Sequence, residues 1–321
     1  MRPVDKPKPS QQLLESILQR NKSRGWSENR SLQGALADTI GHYCSFCELP
    51  INVGEHVEDK RSPRRGKTAR FDDWEHLLLS CNYCQTYRRN GTINESDYLW
   101  PDVDNTFTLD NTSPLIYTYK DVNFILSISS GQGSESGTTK LVIVEANSRS
   151  QSSQKAQRLI DLFQLNTPDY NPTTNTLTFT DQTLATYPDR RLFLRTEAWE
   201  LARNTINTIV EARNFQVSTL PYNMALTNAT AIARTYGFWS VWMTAFWQAF
   251  PDADLIDKLF ITTDTRQGIV IHGYQGLSQS SPPPAQRARP KRPRLTETYL
   301  LFTGTAKDRI TYPSSVPRQR G

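Results

Sequence analysis

Two short motifs of identical spacing, Cys44-Ser-Phe-Cys47 and Cys81-Asn-Tyr-Cys84, contain all four cysteines of the 321-residue chain. A Cys-x-x-Cys hook presents two thiolates to one point, and two hooks supply the four soft donors that a tetrahedral zinc ion takes. Zinc has no redox chemistry and a closed four-sulfur set leaves no open position, so such a site is expected to staple backbone rather than to react. The alternative is two unrelated pairs of reduced thiols, and the absence of any other cysteine favours the metal. Between the hooks lie His56, Glu58, Asp59 and His76, with Lys60, Arg61, Arg64, Arg65, Lys67 and Arg70 among them, and Gln85, Arg88 and Arg89 close the segment. Carboxylate and imidazole side by side can anchor a hydrolytic metal and activate water. The cations can neutralise phosphates and release counterions, which gives affinity with little sequence information.

The segment resembles the four-cysteine branch of the HNH, or ββα-metal, nucleases. That pattern runs C-x-x-C, a strand ending in Val-Glu-His with a nearby Pro, then Trp-x-Asn-Leu-x-x-x-C-x-x-C-Asn. The matching residues here are Val57-Glu58-Asp59, Pro63, Trp74-Glu-His-Leu77 and Cys81-Asn-Tyr-Cys84-Gln85. The resemblance implies a structural Zn²⁺ on Cys44, Cys47, Cys81 and Cys84 and a second ion, Mg²⁺ or Mn²⁺, for phosphodiester hydrolysis. Glu58 then matches the acidic metal ligand, Asp59 the general-base histidine, His76 the central asparagine and Gln85 the asparagine after the last cysteine. Three of these four positions carry other letters than the family's. The catalytically degenerate alternative, a zinc protein that binds nucleic acid or regulates a partner without cutting, therefore stays open.

The identity of the base also stays open. An aspartate near pKa ~3.9 is a far weaker base at neutral pH than a histidine near ~6.5. On a strand, His56, Glu58 and Lys60 would share a face while Asp59 points away with Val57. That parity makes His56 the better base beside a Glu58-bound ion, whereas the motif register points to Asp59. Phosphate contacts are expected from Lys60, Arg61, Arg64, Arg65, Arg88 and Arg89.

Tyr98-Leu-Trp-Pro-Asp-Val-Asp-Asn-Thr-Phe107 and Lys155-Ala-Gln-Arg-Leu-Ile-Asp-Leu-Phe-Gln-Leu-Asn166 extend the resemblance to HNH proteins of bacterial anti-phage systems of the Septu and retron-associated type. What this implies is an effector nuclease with DNA favoured over RNA as its substrate, working with a protein partner such as an ATPase or sensor subunit.

A net charge of +5 and a pI near 9.0 suit an anionic partner. No apolar run approaches the ~20 residues of a membrane span, the start lacks the apolar region of a signal peptide, and reduced thiols suit a cytoplasmic location. The fold class expected is α+β: a zinc-stapled ββα core with additional strands and an α-rich C-terminal portion. The chain divides into an N-terminal extension with a helix (1–30), the HNH-like zinc domain (31–110), an α+β core or partner domain (111–274) and a basic, proline-rich arm with the tail (275–321).

The elements that must position the site can be read from periodicity. Helices are expected over 10–19 and 31–40, the latter capped by Ser31, and from Cys81 onward. Strands follow at 106–109, 115–119, 122–127 and 140–145, then a helix at 154–164, a strand at 176–180 and two long helices at 191–213 and 224–250. The last carries Phe238, Trp239, Trp242, Phe246 and Trp247, which suit an internal core or a partner surface. The first ten residues, with three prolines, are expected to be flexible. In the arm, Arg287, Arg289, Lys291, Arg292 and Arg294 among prolines suggest a phosphate-binding tether or a spacer.

Overall fold

The computed structural model describes residues 1–10, 28–51, 56–61, 71–88, 93–127, 134–167, 170–180, 189–214 and 220–261, together with positions 12, 15, 19 and 309. The architecture is mixed α+β, with a two-stranded sheet beside the cysteines, a four-stranded sheet behind it and helices packed on both.

Helix α1 (Glu28–Ile40) buries Leu32, Ala35, Leu36 and Ile40, a three- and four-residue spacing that aligns one apolar stripe. It begins one turn before Ser31, which is buried inside the helix instead of capping it. Gly41, at φ 84°, ends it in the left-handed conformation and donates to Ala37 O at 2.8 Å. The small sheet follows. Strand β1 (His56–Asp59) pairs antiparallel with β2 (Leu77–Ser80), and the chain turns at once into helix α2 (Asn82–Arg88).

The second sheet is dominated by a hairpin of two thirteen-residue strands, β3 (Leu115–Ser127) and β4 (Ser134–Ala146). The shorter strands expected at 115–119 and 122–127 are therefore one continuous strand, whereas 106–109 is irregular. Strand β6 (Thr176–Thr180) adds parallel to β3, and β5 (Tyr170–Asn171) adds antiparallel to β6, for an order β4-β3-β6-β5. Alternate residues of β4 feed two cores: Val142 and Val144 face the main one, while Leu141 and Ile143 join Val122, Leu177, Phe179 and Leu192 on the opposite face. Both faces of the hairpin base are thus buried, which explains its near-continuous apolar run.

Helix α3 (Ser153–Phe163) and the long helix α4 (Arg191–Asn214) pack on β4. The expected helix at 224–250 is broken in two, α5 (Leu220–Tyr236) and α6 (Trp239–Ala249). At the break, Gly237 (φ 73°) and Phe238 (φ 53°) are both left-handed. A Cβ on Gly237 would lie 2.4 Å from Glu48 O and 2.8 Å from Pro50 Cδ, so the corner presses against the first cysteine hook. The break lets Phe238, Trp239, Trp242 and Phe246 enter the main core, where each is almost fully buried. A short helix, α7 (Ala253–Ile256), leads into a π-helical turn, Asp257–Ile261, whose Phe260 O accepts from Trp239 Nε1 at 3.1 Å.

The first residues are ordered rather than loose. Met1 and Val4 fill the core, Val4 N donates to Pro101 O at 2.7 Å, and Lys6 Nζ reaches the carbonyls of Trp74 and Leu77 at 2.9 and 2.7 Å. Proline content removes donors but does not prevent such an extended strap when its remaining donors and charges find buried partners. No helix among the described residues is long and apolar enough to cross a membrane.

Candidate metal centre

The first hook is a tight turn held from both sides. Tyr43 and Pro50 form an antiparallel bridge, Cys44 N donates to Leu49 O at 2.8 Å, and Glu48 N donates back to Cys44 O at 2.9 Å with Glu48 at φ 67°. The second hook spans the end of β2 and the first turn of α2, where Gln85 N donates to Cys81 O at 3.0 Å. Ser45 N donates to Leu79 O at 2.9 Å and ties one hook to the strand that carries the other.

These constraints gather Cys44, Cys47, Cys81 and Cys84, all buried and none in a disulfide, so that their sulfurs lie within 4.8 Å of one another. The Cys47 and Cys81 sulfurs are 3.6 Å apart. A disulfide needs about 2.05 Å. Four sulfurs each ~2.3 Å from one ion stand roughly 3.8 Å from each other, so the donor set fits tetrahedral zinc. The thiol chemistry agrees. Burial opposes ionisation of Cys44, yet hydrogen bonds from Cys47, Cys81 and Cys84 outweigh it and hold its thiol well below the usual range. Burial and the neighbouring sulfurs push Cys47 and Cys84 well above it. Sulfurs this close cannot all ionise beside one another without a cation, which a dication would supply.

Around this cluster, β1 and α2 face each other. His56 opens β1 opposite Ser80, and Glu58, two residues on, lies opposite Leu78. Glu58 is buried, and its Oε1 lies 3.9 Å from Nε of fully buried Arg88. Arg88 Nη2 also donates to Lys60 O at 3.1 Å, clamping α2 onto β1. Burial lowers the Arg88 pKa, with Glu58 opposing that shift. Asp59 points to a separate network: it accepts from Arg61 N, Nε and Nη2 at 3.0, 3.1 and 2.9 Å, and Arg61 Nη2 reaches Asp73 at 2.8 Å. Those hydrogen bonds to Asp59 and Asp73 raise the Arg61 pKa although its side chain is 43% exposed.

Lys60 is buried, with its ammonium 3.0 Å from Asp102 Oδ2, which Lys6 Nζ approaches from the strap at 2.8 Å. His76 Nδ1 is 3.1 Å from Glu95 Oε1, close enough to pair when protonated but not aligned as a hydrogen bond. Gln85 is half-buried on α2. The structure therefore brings Glu58 to Arg88, Asp59 to Arg61 and Lys60 to Asp102, and turns Lys60 and Arg88 inward. Arg64, Arg65, Arg89 and the arm at 278–294 lie outside the described residues. Among the described side chains, the four cysteines are the one group of three or more histidine, cysteine or carboxylate ligands close enough to share an ion, and Glu58 belongs to no such group.

Residues without a motif to mark them complete the centre. Glu48 accepts from Ser240 N at 2.8 Å and Ser240 Oγ at 2.5 Å and pairs with the Met1 ammonium at 3.1 Å, which caps α6 from the hook itself. Arg191 Nη1 donates to Cys84 Sγ at 3.1 Å. A cleft of about 760 Å³ opens beside the cluster, lined by Pro50, Cys81, Asn82, Tyr83, Tyr236 and Phe238 among others. No local signal in the sequence marks Glu48 or Arg191, because the partners that give them their roles lie more than a hundred residues away. Compared with known proteins, the chain matches no family model, no curated protein and no solved structure.

Proposed function

We propose that the chain is an HNH-type, metal-dependent nuclease with DNA as its favoured substrate, serving as an effector in a bacterial anti-phage system with an ATPase or sensor subunit as partner. The observation that supports this reading is the antiparallel β1–β2 pair running straight into α2, with a four-cysteine cluster at its open end and Glu58 facing the helix. In this proposal zinc is the staple. Glu58 and Gln85 are the residues offered to Mg²⁺ or Mn²⁺, which would supply charge stabilisation at the scissile phosphate. His56 or Asp59 takes the proton from water. His76 positions the loop, and Arg61, Arg64, Arg65 and Arg89 hold phosphates over the scaffold made by Lys60 and Arg88. Thiolate ligands suit a reducing, cytoplasmic setting.

One observation favours the second reading, a non-cutting nucleic-acid-binding or regulatory subunit. The Glu58 carboxylate is buried beside the Arg88 guanidinium and Asp59 is held by Arg61, so both acids already face cations. The test is incubation with supercoiled plasmid and with RNA in Mg²⁺ or Mn²⁺, alone and with neighbouring gene products. Nicking that Glu58→Ala abolishes, and that His56→Ala lowers by roughly 10²–10⁴, supports the nuclease. Salt-sensitive binding without nicking under every metal supports the second reading instead.

A further inference from the structure

We propose that Asp189 and Arg191 form a latch that couples metal occupancy of the four-cysteine cluster to the seating of helix α4. The inference rests on the cluster being a zinc site. Arg191 is 1% exposed and sits at the first position of α4. A guanidinium has five N–H donors in a planar fork, and here each meets an acceptor. Nε and Nη2 bind Asp189 at 3.0 and 2.7 Å, Nη1 donates to Cys84 Sγ at 3.1 Å and Phe163 O at 3.0 Å, and Nη2 also donates to Gln164 O at 3.0 Å. Its Cζ lies 5.1 and 5.9 Å from the ring centroids of Tyr87 and Tyr83 on α2. One side chain thereby joins the second cysteine hook, the C-terminus of α3 and the start of α4.

The chemistry makes that joint conditional. A metal-bound thiolate is a charged acceptor, and a hydrogen bond to it is much stronger than one to a neutral thiol. Zinc with four thiolates carries two net negative charges inside the protein, and a buried charge is costly unless cations face it. Arg191 supplies one. Arg195, one turn further on and equally buried, donates to Val142 O, Leu165 O and Asn166 Oδ1 at 2.9, 3.0 and 3.0 Å, none of which is charged. Its charge is oriented by neutral dipoles alone. Linkage is reciprocal: if the latch strengthens the ion's binding, the ion strengthens the docking of α4 by the same factor.

The experiment starts with the zinc content of the intact protein. One ion per chain is expected, and none would sink the metal reading itself rather than the latch. Zinc is then withdrawn with a strong chelator and hydrogen exchange is followed. Protection across 191–198 and 82–88 should fall at least about tenfold while the β3–β4 hairpin keeps its own. Protection of 191–198 that survives zinc loss within about twofold overturns the proposal. Variants add a readout that a merely structural residue would not move. Asp189→Asn and Arg191→Met should weaken zinc against a chromophoric chelator by roughly 10–100-fold, with Arg191→Lys between them and wild type. A variant that melts cooperatively yet binds zinc within about twofold of wild type also overturns it. Should Arg191→Met fail to fold, Asp189→Asn and the wild-type chelation decide the matter.

Discussion

Exchanging Gly237 for alanine tests how the helical half is fitted to the first cysteine hook. The residue sits at φ 73°, a region that costs an L side chain about 1–2 kcal/mol. Its new Cβ would stand 2.4 Å from Glu48 O and 2.8 Å from Pro50 Cδ, and the first of these is backbone that no rotamer change can move. If the hook shifts to make room, Phe238 N loses its 3.0 Å bond to Glu48 O, and a buried donor left alone costs roughly 1–3 kcal/mol. The two contributions together amount to about 2–5 kcal/mol, or roughly 4–20 °C in melting temperature at ~2–4 °C per kcal/mol. Gly34 is the matched control, because it lies inside α1 with nothing within 4 Å of its would-be Cβ. Gly34→Ala should raise stability by about 0.5–1 kcal/mol. Tryptophan fluorescence during thermal unfolding reads both, since Trp239 and Trp242 lie next to the corner. A Gly237→Ala protein that melts within about 1 °C of wild type would show that the corner is not braced against the hook.

Other perturbations probe the remaining joints. Cys81→Ser should abolish stoichiometric zinc and unfold the knuckle, and a variant that retains one tightly bound ion by mass spectrometry would argue against four-sulfur ligation. Asp102→Ala leaves Lys6 and Lys60, both nearly fully buried, without their shared carboxylate, for an expected loss of about 3–5 kcal/mol in urea unfolding. A change under about 0.5 kcal/mol would mean the strap is not held there. Burial, aided by Glu48, pushes the Tyr117 pKa well above its ordinary 10.0. The unfolded chain then loses this proton first as pH rises, so the stabilisation is complete below about pH 10 and is lost above it. Melting temperature should therefore fall more steeply above that pH in wild type than in Tyr117→Phe, and parallel curves would refute the assignment.

Local spacing determined much of this protein. The paired Cys-x-x-Cys hooks announced a four-sulfur cluster because each hook carries its own geometry within four residues. The α+β class, the helices that became α1, α3 and α4 and the strand at 176–180 were legible because apolar periodicity is a local property. The strap of the first residues was not, since its order comes from Pro101 O, Trp74 O and Asp102, partners far away in sequence. Nor was the break at Gly237, where the helical pattern continues but Glu48 and Pro50 occupy the space a straight helix would need.

Charge was the least legible feature. Lys60, Arg61 and Arg88 read alike in a basic run, yet tertiary structure turns Lys60 to Asp102 and Arg88 to Glu58 and leaves Arg61 half-exposed between Asp59 and Asp73. Arg191 carries no motif at all and reaches the four-cysteine cluster only because α4 docks there. A cation's role depends on which acceptors surround it and how much water remains, and both are set by contacts between segments that the order of residues does not display.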